Sequence, residues 1–583
     1  MSPTRRNLLL LLGWSALMIA SSQTHPSFMA HDEGNYALES RFMLESGKWL
    51  GRQTWGNVLY THGILLNWLI MLSYQLFDLP TLSADWAVRI ARLPTIIACL
   101  LAVALTYDIG EQIFARQRWR YAVNAGQLGL LSGLLIMVFS LWNQFSHLAT
   151  QDIMLVSVEL TAIWALLKAE QQQTEINQTG ESQAEESQAS NKRLAFGFLA
   201  GAMFGIGFLI KTFMVALPAI ALLPYLIFER RRHRHLTNWG IYVGLVVGFV
   251  PTVLWLGFSV AEYGSWVLGA IFGKIGELSD HPYHADGGPL YYLWNIPVNI
   301  FPWALFSLIG AVMVLRQPGF WSRLFSLQKQ QTAYPHRWLL LYPFILAALL
   351  QSFTTKTPYY TLQLHPFMAW FAAIALHQIA TQSIRWPRRL LSYSFSASGL
   401  ILSGVAIASL VIPSDFLTDI RAYAPLGLVL GLGWALLPVF MSQPQRWLAT
   451  WLLPAWLMLA MAGITGFLGN YSAELKAAAT TDPVASLVRD TPVDFVINPK
   501  QPPALYKDLV ILAVHTPHIG KLNPPIADIP AGTYVWVSKD KEVYRSEQLT
   551  PTQSHTPDTQ SAILVADSYE TVIELENWRL IRR

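Results

Sequence analysis

Asp32 and Glu33 stand side by side in HDEGNYALESRFMLESGKW (31–49), directly after the first apolar run of the chain. A charge beside lipid is costly, so an acidic pair in that place needs a compensating use. A carboxylate held within reach of a hydroxyl can act as a general base. Further along come His62 in LYTHGILLNW, Asp152 in LATQDIMLV and Lys211 in FLIKTFMV. His281, His284 and Asp286 lie in DHPYHADGGPLYYLW, and Lys356, Tyr359 and Tyr360 lie in FTTKTPYYTLQLHP. Lysines and histidines can stabilise the negative charge that grows on a departing phosphate, and such electrostatics weigh heavily in a water-poor site. Each residue alone has a plainer reading. Acidic residues at a helix start complement its dipole, lysines at turns reach toward water, and a single histidine is more often a packing residue.

The elements that carry these residues are set by composition. Of 583 residues, 53% are hydrophobic and only 13% charged, where a soluble domain carries about a quarter charged. The apolar residues gather into runs near the ~20 residues that cross a bilayer. The chain is therefore expected to be a polytopic α-helical membrane protein. The 23 Trp, 22 Tyr and 28 Phe suit membrane interfaces and helix contacts. The net charge of +4 reflects basic loops, and no dense basic stripe with interleaved aromatics points to nucleic acid. A single cysteine, Cys99, excludes an intrachain disulfide and a thiol metal site. MSPTRRNLLLLLGWSALMIASS has the outline of a signal peptide, but its long apolar run without an A-x-A site favours an uncleaved first span.

Windowed hydropathy predicts about 13 spans, centred on 7–24, 87–110, 122–142, 152–168, 194–210, 212–228, 238–259, 290–315, 338–353, 359–378, 391–412, 423–441 and 447–469. The polar break at Lys211 separates the fifth from the sixth. Arg5/Arg6, ARQRWR (115–120), NKR (191–193), ERRRHRH (229–235), RWPRR (385–389) and Arg446 then share one side, which the positive-inside rule makes cytoplasmic. The N-terminus is expected inside and the C-terminal tail outside. QQQTEINQTGESQAEESQASNK (171–192) reads as a disordered cytoplasmic linker.

The expected domains are 1–472 in the membrane and 473–583 as a small extracytoplasmic α/β domain. The first outer loop, 25–86, carries a helical pattern ending at Gly47 and is expected to lie along the membrane surface. In the tail, VDFVI (493–497), LVILAVH (509–515), GTYVWVS (532–538) and AILVA (562–566) read as strands, and SYETVIELENW (568–578) as a helix.

On this topology Asp32, Glu33, His62, Asp152, Lys211, the 281–286 group and Lys356 all face the outer side, a convergence that outweighs any single residue. The segments DEGNYALESRFMLESGKWL, THGILLNWL and ARLPTIIACLLAVALTYDIGEQIF resemble bacterial lipid-linked-sugar glycosyltransferases of the GT-C superfamily. The likeness is to the branch of the aminoarabinose transferase of lipid A and the protein O-mannosyltransferases (family 39/83-like). It continues through TQDIML, GFLIKTFMVALP, HADGGPLYYLWNIPVNIFPW and KTPYYTLQLHPFMAW, covering roughly residues 8–380.

The resemblance matches Asp32 and Asp152 to the family's two acidic positions. It matches Lys211 to the lysine of an FLTKGP-like turn, with Thr212 and Phe213 departing from the small-residue pattern. Lys356 matches the lysine of a K-x-P-x-Y segment, with Tyr359 and Tyr360 beside it. His62 occupies a Lys/His position, followed here by Gly63 and Ile64.

The resemblance implies an inverting transfer from a polyprenyl-phosphate monosaccharide to a glycolipid or protein acceptor at the outer face of a bacterial inner membrane. In that scheme Asp32, beside Glu33, is the base and Asp152 a second carboxylate. His62, Lys211, Lys356, Tyr359 and Tyr360 bind the donor phosphate, and His281, His284 and Asp286 touch substrate. The carboxylates and histidines leave room for a divalent metal, although their spacing is no ligand signature. The rival readings are a transporter or lipid flippase, which would place charge near the midplane of repeated halves, and a sensor or assembly protein with a binding tail. The clustering of charge at one set of helix ends favours the transferase.

Overall fold

The computed structural model describes residues 2–30, 32–60, 62–116, 124–178, 183–280, 288–322, 324–325, 335–382, 386–497, 503–525, 528–539 and 569–583. The chain packs as two compact units. One comprises Met1–Thr24, Tyr60–Leu65 and Thr95–Leu468; the other comprises His25–Leu59, Leu66–Pro94 and Gly469–Arg583. The second unit thus takes in most of the first outer loop, which the sequence placed with the membrane region, along with the C-terminal tail.

The first unit is a bundle of apolar helices, and the protein is a multi-pass membrane protein. Among the described residues, Ala84–Arg116, Glu185–Phe228, Trp239–Tyr263, Trp386–Val411 and Pro444–Ile464 are each long and apolar enough to cross a bilayer. Several of the thirteen expected spans are not single helices. The span expected at 290–315 is broken into Tyr291–Asn299 and Trp303–Leu315, bent by 115°. Pro302 at the break has no N–H to continue the ladder. The span at 122–142 divides into Ala125–Met137 and Ser140–Phe145, and that at 423–441 is helical over Ala424–Ala435.

The stretch Glu185–Phe228 has 44 residues, ~66 Å if straight, more than twice the ~30 Å hydrocarbon core. It does not run straight. Helix Gln183–Lys211 ends where Lys211 pairs with Asp152, at the start of helix Gln151–Gln178. Eighteen residues after Asp152 along that same helix, Glu170 meets Tyr225 and Arg232. The segment Ala216–Phe228 therefore returns along helix Gln151–Gln178, as two separate spans require.

Glycines set the position of helix Gln183–Lys211. Gly201 and Gly205 lie against the backbone of helix Trp239–Tyr263, and its Gly240, Gly244 and Gly248 lie against the backbone at Leu194, Phe198 and Ala202, while Gly197 meets the Asn238 side chain. A methyl group added at Gly201 would lie 1.9 Å from the Ile241 carbonyl oxygen, and one at Gly244 would lie 2.0 Å from that of Phe198. The backbones touch directly, the small-residue packing that substitutes for hydrophobic drive between helices in lipid.

The expected disordered linker is largely helical. Residues 171–178 continue one helix and 183–192 begin the next, consistent with the helix propensity of Gln, Glu and Ala. Gln171 donates to Gln112 at 2.6 Å and Gln173 is buried, so this end of the hairpin is packed. Nearby, Glu170 is buried among Arg232, Arg116 and His336. Burial opposes its ionisation, but Arg232, His336 and Arg116 override burial and hold the carboxyl well below its usual range.

In the second unit, β1 (Arg52–Thr54) and β2 (Asn57–Leu59) form a short antiparallel hairpin. The tail contributes β3 (Val493–Val496), β4 (Ile519–Leu522), β5 (Tyr534–Ser538), β6 (Glu570–Glu574) and β7 (Trp578–Arg582), in the order β4-β3-β5-β7-β6. β3 is parallel to β4 and β5, while β7 is antiparallel to β5 and β6. The small α/β tail is thus present, with two corrections.

LVILAVH is not a strand but the end of helix Pro503–His515. Parallel β3 and β4 require a crossover, and this helix supplies it. SYETVIELENW is not a helix; its described part forms β6 and the turn into β7, suited to Thr571, Val572 and Ile573. AILVA lies outside the described residues.

Helix Glu33–Ser46 ends at Gly47, whose φ of 68° suits glycine. It is not a surface amphipathic helix. Tyr36, Leu38, Glu39 and Arg41 are all buried, because the polar ones find partners. Glu39 pairs with Arg52 at 3.2 Å. Arg41 donates to the carbonyls of Val514 (3.2 Å) and Thr516 (2.6 Å) at the end of helix Pro503–His515.

Gly244→Leu should separate the glycine-lined helices and destabilise the protein by about 3 kcal/mol or more, the upper range for overpacking. Thermal unfolding of the detergent-purified protein measures this; an unchanged midpoint would contradict the packing described.

Candidate active site

The densest set of sequence-predicted residues lies in the first unit, around the turn that ends helix Gln183–Lys211. Lys211 has φ −139° and ψ 36°, and Thr212 has φ 43°. A β-branched residue in the left-handed region is an outlier, and such strain is retained where surrounding structure over-determines it. The small residue of the resembling FLTKGP-like turn would take this conformation without cost. Thr212 departs from that pattern in side chain while the backbone keeps a turn of glycine type.

The turn delivers the Lys211 ammonium to the Asp152 carboxylate in the first turn of helix Gln151–Gln178. Each side chain is 10% exposed. The same ammonium lies 5.1 Å from the Tyr359 ring centre and 4.9 Å from that of Tyr360, within the range of cation–π attraction. The two rings meet edge to face at 5.2 Å, and Phe145 packs on Tyr359 at 5.6 Å. Both tyrosines belong to the 3-10 helix Pro358–Leu364, which precedes helix His365–Thr381. Lys356, just before it, is buried and donates to the Phe353 carbonyl at 2.7 Å. Tyr292 donates to the Thr357 carbonyl at 3.2 Å, fixing the strand of chain between Lys356 and the tyrosines.

His62 is brought to the same place by its neighbour. Gln151, adjacent to Asp152, donates to the Gly63 carbonyl at 3.0 Å. A methyl at Gly63 would sit 2.1 Å from the Leu209 carbonyl oxygen and 2.7 Å from that of Ile210, immediately before Lys211. Thus the segments carrying His62, Asp152, Lys211, Lys356, Tyr359 and Tyr360 converge. Lys211 and two tyrosine rings stand with one carboxylate, and the Lys356 and His62 segments adjoin them, a set suited to a phosphate diester or monoester at a helix-bundle end.

Asp32 and Glu33 belong to the second unit, and they differ sharply. Glu33 is fully buried and bound by Arg92, with Nε–Oε1 at 2.7 Å and Nη2–Oε2 at 2.9 Å. The Met29 backbone N–H adds a bond of 2.9 Å to Oε2. Arg92 also donates to the Ser27 carbonyl at 2.7 Å and the Gly469 carbonyl at 3.2 Å. Glu33 is thereby an anchor for the helix start, its carboxylate committed to Arg92 rather than held open beside Asp32. Asp32 is partly exposed, at the helix N-cap, and its side chain makes no capping bond. Among the described residues its carboxylate has no hydrogen-bond or ion-pair partner.

His281, His284 and Asp286 lie outside the described residues. Among the described residues, no group of three or more His, Cys, Asp or Glu is gathered in a way that could hold a metal ion. Sequence reasoning missed Arg92, Gln151 and the role of Gly63. An arginine within an apolar run is itself a signal for a buried anionic partner; a glycine forced by a neighbouring backbone has no comparable signal.

Residues 61–178 and 185–257 match the dolichyl-phosphate-mannose-protein mannosyltransferase family. An undecaprenyl phosphate-alpha-4-amino-4-deoxy-L-arabinose arabinosyl transferase of Pseudomonas aeruginosa strain LESB58 is 25% identical over 300 residues, covering 51% of this chain and 48% of the relative. A transferase of the same description from Pseudomonas fluorescens strain Pf-5 is 25% identical over 466 residues, 78% of this chain and 74% of the relative. The chain spans about half the length of the first curated relatives it matches, and about three quarters of this one.

The crystal structure of ArnT from Cupriavidus metallidurans in the apo state superimposes with a TM-score of 0.66 at 17% identity, over 100% of this chain and 98% of that one. Its undecaprenyl phosphate-bound form gives the same values. Part of the chain is thus similar in sequence to these transferases, and its fold is that of the Cupriavidus protein.

Two substitutions test the local roles. Gly63→Ala should force the His62 segment off the Lys211 turn and cost about 1–3 kcal/mol, read as a lowered unfolding midpoint; a wild-type midpoint would refute the close approach. Glu33→Gln should leave Arg92 buried without its counter-charge, a loss of about 3–5 kcal/mol. Denaturant unfolding checks it, and a change below ~1 kcal/mol would show that the pair is not buried as described.

Proposed function

We propose that the chain is an inverting membrane glycosyltransferase that moves a monosaccharide from a polyprenyl-phosphate donor to a hydroxyl on a glycolipid or protein acceptor. It would work in a bacterial inner membrane, with the reacting groups at the outer face, the basic loops inside and the tail outside. The observation that carries this reading is the Lys211 ammonium, held between Asp152 and the rings of Tyr359 and Tyr360 with the Lys356 segment adjoining. Cations buried at the end of a membrane helix bundle are costly unless they serve an anion, and a lipid-borne phosphate is an anion delivered at that depth. The likeness of fold supports this reading, since the Cupriavidus protein is described in complex with undecaprenyl phosphate.

In this reading the donor's phosphate is met by Lys211, Lys356, His62 and the tyrosine hydroxyls. As the anomeric C–O bond to phosphate breaks, negative charge passes to the phosphate oxygens, and preplaced cations lower the barrier. The acceptor hydroxyl loses its proton as its oxygen bonds to the anomeric carbon. Asp32 is assigned as the base, because its carboxylate is partly exposed and, among the described residues, unpartnered, while that of Glu33 is committed to Arg92. Asp152 keeps Lys211 oriented and exchanges that contact with the incoming phosphate. His281, His284 and Asp286 are retained as substrate contacts, and assay with and without a chelator reads any requirement for a divalent cation.

The test is transfer from a short-chain polyprenyl-phosphate sugar panel by the full-length protein in nanodiscs. Asp32→Asn should reduce kcat by at least ~10²-fold with an unchanged unfolding midpoint, and Lys211→Met should reduce it by about 10²–10³-fold. Near-normal turnover by Asp32→Asn would overturn its assignment as base, and flux of the lipid without sugar transfer would favour a flippase.

A further inference from the structure

At the opposite end of the first unit from Lys211 lies a cavity of about 660 Å³, a volume within the usual range for ligand pockets. Helix His365–Thr381 starts directly after the tyrosine-bearing turn, and its far end, at His377 and Thr381, borders this cavity. The separation along that helix is roughly 20 Å. The cavity is therefore distinct from the candidate active site.

Its composition is divided. Leu130, Leu131, Leu134, Leu448 and Leu452 form an apolar wall. Gln127, Gln443, Gln445 and Arg446 form a polar mouth, and among the described residues no Asp or Glu lines it. Among the described residues, the Arg446 guanidinium makes no ion pair or hydrogen bond. Arg446 sits in the first turn of the 21-residue helix Pro444–Ile464, whose N-cap residue Gln443 makes no side-chain capping bond. The positive end of the helix and the guanidinium thus point to the same kind of ligand. An independent sign comes from His377. It lines the cavity, is only 8% exposed, and its Nδ1 is buried without a hydrogen-bond partner among the described residues.

We propose that this cavity binds one anionic phospholipid from the leaflet at the basic-loop end, as a site separate from donor and acceptor. The acyl chain lies along the leucine wall. The headgroup phosphate meets Arg446 and the free N–H groups of the helix start, and the glutamine amides and His377 take the neutral oxygens. A free phosphate would leave the leucine wall wet, and a zwitterionic lipid would bring a cation to the Arg446 mouth. Anionic lipid satisfies both halves.

The site is tested with the full-length protein in nanodiscs, using photoactivatable phosphatidylglycerol and the matching phosphatidylcholine, with labelled residues mapped by peptide mass spectrometry. Phosphatidylglycerol should label peptides containing 127–134 and 443–452 severalfold more than phosphatidylcholine. Excess inorganic phosphate should not displace it. Arg446→Gln should abolish that preference. Gln445→Glu, an exposed change that adds repulsion at the mouth, should do the same while the unfolding midpoint stays put. Equal labelling by both lipids, displacement by phosphate, or a preference that survives both substitutions would each overturn the proposal. The readout does not depend on transferase activity, so failure here leaves that reading untouched.

Discussion

A cation at the end of a membrane helix has to be matched before the bundle can close around it. Lys211 is matched twice over, by the Asp152 carboxylate and by the electron-rich faces of Tyr359 and Tyr360. This arrangement draws together four stretches of chain that are far apart in sequence: the Gly63 segment, the start of helix Gln151–Gln178, the end of helix Gln183–Lys211 and the Pro358–Leu364 turn. Removing either member of the ion pair would leave the other largely buried without its counter-charge. The same contacts that satisfy the lysine also build a place where an anion could be exchanged for a carboxylate.

The second unit solves a related problem in a different way. Arg92 and Glu33 are both fully buried, and their bidentate contact is supplemented by the Ser27 and Gly469 carbonyls. A buried pair of this kind contributes little net stability against an apolar replacement, yet it is severe to break. Its value lies in specificity, since only one register of helix Glu33–Ser46 satisfies every partner. Arg41 then ties the same helix to the carbonyls at the end of helix Pro503–His515. One acidic residue of the adjacent pair is thereby used up in architecture.

Much of this was legible in the sequence, and the pattern of success is physical. Asp152, Lys211, Lys356, Tyr359 and Tyr360 could be singled out because charge in an apolar chain is costly and therefore informative. The reversal at Lys211 was legible for the same reason. Errors arose where two periodicities compete. LVILAVH is apolar on every side and reads equally as a buried strand or a buried helix; only the need to cross between parallel strands decides it. The polar 171–192 segment lacks an apolar stripe, so its helical extension rests on propensity and on packing that sequence pattern does not register. Helix Glu33–Ser46 reads as a membrane-surface helix because Glu39, Arg41 and Glu45 fall off its apolar face, yet Glu39 and Arg41 find partners in β1 and in the distant tail. The partition of Asp32 from Glu33 could not be read locally, since it depends on Arg92.

The glycine seam between helices Gln183–Lys211 and Trp239–Tyr263 has a mechanical consequence. Where backbone rests on backbone there is no side chain to change rotamer, so neither helix can slide or tilt without losing contact along the whole row. The two therefore behave as a stiff double beam, with Lys211 mounted at its tip. On the proposed function, an entrance for a long lipid falls to the other flank of the lysine, at the Pro358–Leu364 turn and the chain around Lys356. Substrate traffic would thus be gated by one wall while the charged post stays fixed.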